Sequence, residues 1–201
     1  MFVKNPSSHR GNWRERFKNP NNEVHLEIGM GRGEFIIESA LTYPNTNFVA
    51  LERLDKIVPL AIKTAEERGV GGNLQFICAD AKQLPCFFDE NELSCIYINF
   101  CDPWRNKAKW HKRRLTHRDY LKIYSNLLIS SGRIEFKTDD RLLFDFSLVE
   151  FNDVGFQTSI ISYDLHGGSP QNNIMTNYER RFVKINKPIC YTTAKNFKNK
   201  I

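Results

Sequence analysis

The chain has 201 residues, 41% hydrophobic and 26% charged, with 29 Lys and Arg against 23 Asp and Glu for a formal charge of +6. That length suits one domain with a real core, and no apolar run approaches the roughly 20 residues that span a bilayer. The N-terminal MFVKNPSSHRGNWRERF lacks a secretory apolar segment, so the cytoplasm is the expected compartment, and five scattered cysteines without C-x-x-C spacing read as reduced thiols, not a zinc or redox site.

Residues 4–22 are polar, basic and rich in Asn and Pro, and 1–22 reads as a basic arm outside the core; residues 23–201 read as a single domain. VHLEIG (24–29) is a short apolar strand running into glycines, followed by a helix over 33–42 that stops near Pro44. NFVALE (47–52) is a second strand. Asp55 is the expected cap of a helix running to about Arg68, where Gly69, Gly71 and Gly72 end it. LQFICAD (74–80) and LSCIYINF (93–100) are the third and fourth strands. The fourth is apolar almost throughout, as for a strand covered on both faces.

His117 to Leu128 carries Tyr120, Ile123, Tyr124 and Leu127 at helical spacing. GRIEFKTD (132–139) is a fifth strand and Asp140 to Phe151 a further helix. FQTSIISYDL (156–165) and ERRFVKIN (179–186) read as two late strands joined by a polar loop, an antiparallel edge hairpin. Strands alternating with helices predict a layered α/β domain with a mostly parallel sheet, whose ligands bind beyond the carboxyl ends of the strands.

Those strand ends carry acids. The first runs Glu27-Ile28-Gly29-Met30-Gly31-Arg32-Gly33, a G-x-G-x-G spacing distinct from the dinucleotide G-x-G-x-x-G. A carboxylate just before the glycines repels a pyrophosphate but suits an ammonium group, such as that of S-adenosylmethionine. Glu52 ends the second strand, placed to accept from ribose hydroxyls, and Asp80-Ala81 ends the third, placed to accept from an adenine amino group. A tight turn, a solvated acid and a helix cap are the plain structural readings of the three. Taken together they describe a pocket for adenosine with an aminated tail and no phosphates.

The fourth strand ends Asn99-Phe100-Cys101-Asp102-Pro103-Trp104. From Cys101 to Lys122 the bases are Arg105, Lys107, Lys109, Lys112, Arg113, Arg114, Arg118 and Lys122, against only Asp102 and Asp119. Cations interleaved with Trp104 and Trp110 fit a phosphate-backbone track; a solvated face is the plain alternative. The fifth strand ends with Asp139-Asp140, and Thr176-Asn177-Tyr178-Glu179 offers donors, acceptors and one stacking ring in a late loop.

The segments LEIGMGRGEF, ALER, ICADA, NFCDPW with KRRLTH, FKTD and TNYE, spanning about residues 24–182, resemble the bacterial tRNA (guanine-N7-)-methyltransferases. The resemblance implies a Rossmann-like class I methyltransferase with a mostly parallel seven-stranded sheet, helices on both faces and an antiparallel edge hairpin. It implies S-adenosylmethionine as cofactor, S-adenosylhomocysteine as product, no metal, and methylation of guanine N7 at position 46 in the tRNA variable loop. Carried over, Glu27, Gly29, Gly31, Glu52, Asp80, Ala81 and Asp102 look like cofactor-site residues, with Asp102 also the catalytic one. Asp139, Thr176, Asn177, Tyr178 and Glu179 look like substrate contacts. The family's more common Pro-Lys after DPW is replaced by Arg105-Asn106-Lys107, so its substrate-binding lysine maps to Lys107, with Asn106 the direct-count alternative.

The expected partner is tRNA, with no membrane, no obligate protein partner, and a monomeric or homodimeric state. The alternatives are methylation of an exocyclic base amine, a small-molecule methyltransferase, and a non-catalytic RNA-binding module.

Overall fold

An apolar run with no polar alternation, such as FVAL at 48–51, needs cover on both faces. In the computed structural model, which describes residues 1–168 and 173–197, that cover is supplied by helices on the two sides of one sheet. The elements are β1 (Val24–Ile28), α1 (Glu34–Thr42), β2 (Asn47–Glu52), α2 (Val58–Glu67), β3 (Leu74–Cys78), α3 (Leu84–Phe87), β4 (Leu93–Asn99), α4 (Arg118–Leu127), β5 (Leu128–Thr138), α5 (Arg141–Val154), β6 (Phe156–Ser162), α6 (Asn177–Lys184) and β7 (Cys190–Asn196), with short 3₁₀ turns between some of them.

The strand order is β3-β2-β1-β4-β5-β7-β6. β1 pairs in parallel with both β2 and β4, so the order reverses between β1 and β4. That switch opens a crevice at the carboxyl ends of these two strands. β7 lies antiparallel to β5 and to β6, which makes the expected antiparallel edge.

Alternation along the strands sends side chains into two cores. Val24, Leu26 and Ile28 of β1, with Val49 and Leu51 of β2, join the core that also holds Tyr124 of α4 and Phe144 of α5. Phe48 and Ala50 of β2 face the other way, into a smaller core with Ile36 of α1 and Ala61 of α2. Beyond β4 that second face turns polar: Tyr97, Arg133, Glu135, Lys137 and Tyr191 help line a cavity of about 660 Å³.

Four expectations are corrected. ERRFVKIN is not a strand: α6 spans Asn177–Lys184 and the last strand is Cys190–Asn196. The Thr176 hydroxyl accepts from the Glu179 N–H while the Glu179 carboxylate accepts from the Thr176 N–H, a capping box that starts a helix where a short apolar run reads as β. Asp55 caps nothing; α2 begins at Val58 after Ile57, with Pro59 in its first turn, where a missing N–H costs nothing. The strand after α5 ends at Ser162, not 165.

Finally, the basic N-terminal segment is not wholly outside the core. Val3, Trp13 and Phe17 are buried in the larger cluster. The Trp13 indole N–H donates to the Phe87 carbonyl at 2.7 Å, and its backbone N–H to Glu92 at 2.8 Å. The Val3 N–H donates to the Phe76 carbonyl and the Phe76 N–H to that of Met1, so the first residues lie along the β3 edge.

Candidate active site

The turn after β1 is built on left-handed backbone at Gly29 (φ +78°) and Gly31 (φ +55°). At Gly31 a Cβ would meet no atom within 4 Å, so it is the backbone conformation that calls for glycine. Glu52, at the end of β2, braces this turn. One carboxylate oxygen accepts from the Gly31 N–H at 3.1 Å and the other from the Leu54 N–H at 3.0 Å.

Glu27 lies on β1 beside this turn and is 2% exposed. Asn99, the last residue of β4, donates to its Oε1 at 3.0 Å. Its Oε2 is buried with no hydrogen-bond partner among the described residues. Burial is the main force pushing the carboxyl up to about 8, and the nearby charge of Glu34 adds to it. Glu27, Gly29 and Gly31 line a cavity of about 410 Å³ together with Asn99, Phe100, Thr176, Asn177 and Tyr178.

The far wall of that cavity is the start of α6. Asn177 ties it to α1 by donating to Glu34 at 2.8 Å. Glu179 anchors it from below: its carboxylate is fully buried and accepts from Lys137 (3.1 Å), His166 (2.9 Å) and Asn173 (2.6 Å) besides the Thr176 N–H. Lys137 is itself buried on β5, also donating to Asn173 and to the Ile174 carbonyl. Burial lowers its pKa, and Glu179 counteracts that.

Phe100 follows β4 with φ +50°. An aromatic residue there is an outlier costing about 1–3 kcal/mol. Its N–H donates to the Lys137 carbonyl at 2.9 Å. Its ring lies 6.1 Å from that of Tyr178 at an interplanar angle of 21°, and 6.0 Å from Phe182.

Asp102 is exposed on the next loop, and the thiol of the preceding Cys101 is pushed up to about 12, chiefly by burial. Trp104 (φ +48°) meets Trp110 edge-on, with the Arg113 guanidinium 4.9 Å from its ring centre. Three of the eight cations are engaged by other groups of the protein. Arg105 pairs with Asp140, Arg118 with Glu150 and Asp153. Arg114 is buried over the Phe146 ring, donating to the Pro103 carbonyl. Lys107, Lys109, Lys112, Arg113 and Lys122 are exposed and have no ion pair with a carboxylate among the described residues.

The methyltransferase family model, described as "Putative methyltransferase", matches residues 21–192. The "tRNA (guanine-N(7)-)-methyltransferase" of Listeria monocytogenes serotype 4b is 41% identical over 199 residues, covering 99% of this chain and 92% of that one. The chain belongs to the tRNA (guanine-N7-)-methyltransferase family. A namesake from Lysinibacillus sphaericus is 39% identical over 189 residues, covering 94% of this chain and 87% of its own.

Solved structures share the fold of this family member at low identity. "Crystal Structure of 16S rRNA Methyltranferase KamB" superimposes with TM-score 0.69 at 13% identity, covering 98% of this chain and 95% of that chain. "Structure of an Antibiotic Related Methyltransferase" gives 0.66 at 18%, covering 96% and 94%. The architecture is therefore that of the α/β methyltransferases.

Of the residues that the family resemblance singles out, Glu27, Gly29, Gly31, Thr176, Asn177 and Tyr178 meet around one cavity, with Glu52 one hydrogen bond behind. Asp80, Ala81, Asp102, Lys107, Asp139 and Glu179 do not line it. Asp80 caps the 3₁₀ turn that Ala81 begins, accepting from the Lys82 N–H at 2.9 Å. Asp139 is ion-paired with Lys187. Glu179 turns its carboxylate inward. Lys137 and Asn99 are not among the residues that the sequence singles out; their signal is a polar residue at or near the end of a strand, which a solvated end produces equally well.

Proposed function

We propose that this protein transfers the methyl group of S-adenosylmethionine to N7 of a guanosine in tRNA, at position 46 of the variable loop, and works in the cytoplasm where that substrate is found. The observation that carries the reading is the buried, partnerless Oε2 of Glu27 on a cavity wall at the β1/β4 switch point. A buried carboxylate oxygen with no donor costs free energy unless a ligand supplies one. An ammonium group does so, which fits the aminated end of the cofactor.

When bound, S-adenosylmethionine supplies a methyl group activated by its sulfonium. Glu27 holds the amino end, and Glu52 keeps the glycine turn in place by its two backbone hydrogen bonds. Guanine N7 has an in-plane lone pair and no proton to lose, so the protein needs no strong base at that atom. It needs positioning, which contributes as much as about 7–11 kcal/mol in favourable cases, and a charge to offset the cation that forms on the base. Asp102, on the exposed loop after β4, is the residue proposed to accept from the guanine N–H groups and offset that charge. The exposed Lys107, Lys109, Lys112 and Arg113 beside it are proposed to take the phosphate backbone.

The test is incubation with labelled S-adenosylmethionine and unmodified tRNA transcripts, followed by digestion and nucleoside identification. The expected product is 7-methylguanosine mapping to the variable loop. Methyl groups on an exocyclic amine, or tRNA binding with no transfer, would overturn the reading.

A further inference from the structure

The strained residue Phe100 and the exposed residue Tyr178 both line the cavity that Glu27 lines. Neither position is explained by the core. Phe100 is only half-buried yet held at positive φ, and Tyr178 is 59% exposed on the first turn of α6. Their rings are near-parallel, with centres 6.1 Å apart. Phe182 packs against Phe100 and carries the Lys187 ammonium 4.4 Å from its ring centre, while Lys187 pairs with Asp139. Phe100 is thus fixed from its backbone and from Phe182, whereas Tyr178 is exposed to solvent beside it.

Resting on the reading above, we propose that Phe100 and Tyr178 are the two walls of a slot that stacks on both faces of the target guanine and favours the base as it becomes cationic. A flat ring sandwiched at van der Waals distance from both walls needs them about 7 Å apart. Tyr178, exposed on the first turn of α6, reaches that spacing by side-chain rotation. Stacking fixes the plane of the purine while leaving its edges to hydrogen-bonding groups. Methylation at N7 places positive charge in that plane, and the negative faces of two aromatic rings attract a cation more than a neutral base. Interactions that strengthen as the charge develops raise the rate of the chemical step and not only binding.

The experiment uses the full-length protein with Phe100→Leu, Tyr178→Leu, Phe100→Tyr and Tyr178→Phe. The two leucine variants should lower kcat about 10- to 100-fold, with KM for tRNA changed less than about threefold. The aromatic replacements should stay within about threefold of wild type. Melting temperature and S-adenosylhomocysteine affinity are measured alongside. If affinity for that nucleoside falls in step with kcat, the residues act through the cofactor pocket and the slot is refuted. Should Phe100→Leu fail to fold, Tyr178→Leu, at an exposed position, decides the matter.

A second readout is specific to charge. With S-adenosylhomocysteine present, wild type should bind 7-methylguanosine monophosphate more tightly than guanosine monophosphate, and the leucine variants should lose that preference. Equal binding by wild type overturns the slot. If wild type makes no 7-methylguanosine in tRNA, the functional reading fails with it. If wild type makes it and the leucine variants turn over normally, only the slot fails.

Discussion

Asn99 satisfies one oxygen of Glu27 and leaves the other bare: Oε1 accepts at 3.0 Å, while Oε2 is buried without a donor among the described residues. In that setting the carboxyl holds its proton up to about pH 8, because burial penalises the charged form. An ammonium ligand demands the opposite state. Binding must therefore expel a proton at neutral pH.

Titration calorimetry of S-adenosylhomocysteine binding should show this directly. In buffers of different ionisation enthalpy, close to one proton should be released per site at pH 6.5, falling towards none above pH 8. Affinity should climb about tenfold per pH unit below about 7.5. Glu27→Gln should abolish the proton release, and an unchanged release in that variant would remove Glu27 from the site.

The same carboxyl weakens the ligand-free protein. Its folded pKa lies above its ordinary value of 4.5, so its contribution to stability is full below pH 4.5 and is lost as pH rises to about 8. Across that window the loss is about 1.4 kcal/mol per pH unit. Glu27→Gln, which stays neutral, should match wild type near pH 4.5 and exceed it by up to about 4 kcal/mol at pH 7.5. Urea denaturation at the two pH values reads the difference, and saturating S-adenosylhomocysteine should reverse its sign at pH 7.5.

Asp102 is proposed to act on the base and not on the backbone of the RNA. Asp102→Ala should lower kcat by about 10²-fold or more while leaving tRNA affinity within about threefold. Single-turnover rates and filter binding separate the two, and near-normal turnover would sink the assignment.

The phosphate track is narrower than the run of eight cations suggests. Lys109→Gln with Lys112→Gln should flatten the dependence of log affinity for tRNA on log salt by roughly 1.5. Arg114→Gln tests something else. It removes a buried cation over Phe146 and should lower the melting temperature more than the salt slope. An unchanged slope in the double lysine variant would count against phosphate contact there.

Glu179 and Lys137 are buried partners, and breaking such a pair leaves one charge stranded. Glu179→Ala should cost about 3–5 kcal/mol in chemical denaturation and abolish activity by releasing the start of α6. Combining it with Lys137→Met should recover part of that stability but not the activity. A double variant no more stable than Glu179→Ala would show that the pair is not coupled.

Much of this arrangement is legible in the chain because it is local. Strands β1 to β4 announce themselves as apolar runs, and Glu27 and Glu52 fall at ends of neighbouring strands that a parallel sheet brings together, whereas Asp80 and Asp102 lie outside the cavity. What stayed hidden depends on contacts distant in sequence. Trp13 sits among polar residues, yet its indole N–H finds a carbonyl 74 residues away. Arg118 reads as a free cation until Glu150, 32 residues later, closes on it. At α6 the signal is local and ambiguous: Phe182, Val183 and Ile185 suit a strand, while the capping box Thr176-x-x-Glu179 starts a helix.

The first residues of the chain, laid against Phe76, have a consequence for self-assembly. They occupy the middle of the β3 edge, while β6 at the other end pairs with β7 alone among the described strands. A sheet blocked on one side and open on the other gives strand pairing between molecules only one place to start. Two copies joined through β6 would offer a third only their β3 edges, each covered at Phe76, which disfavours growth along the sheet beyond a pair.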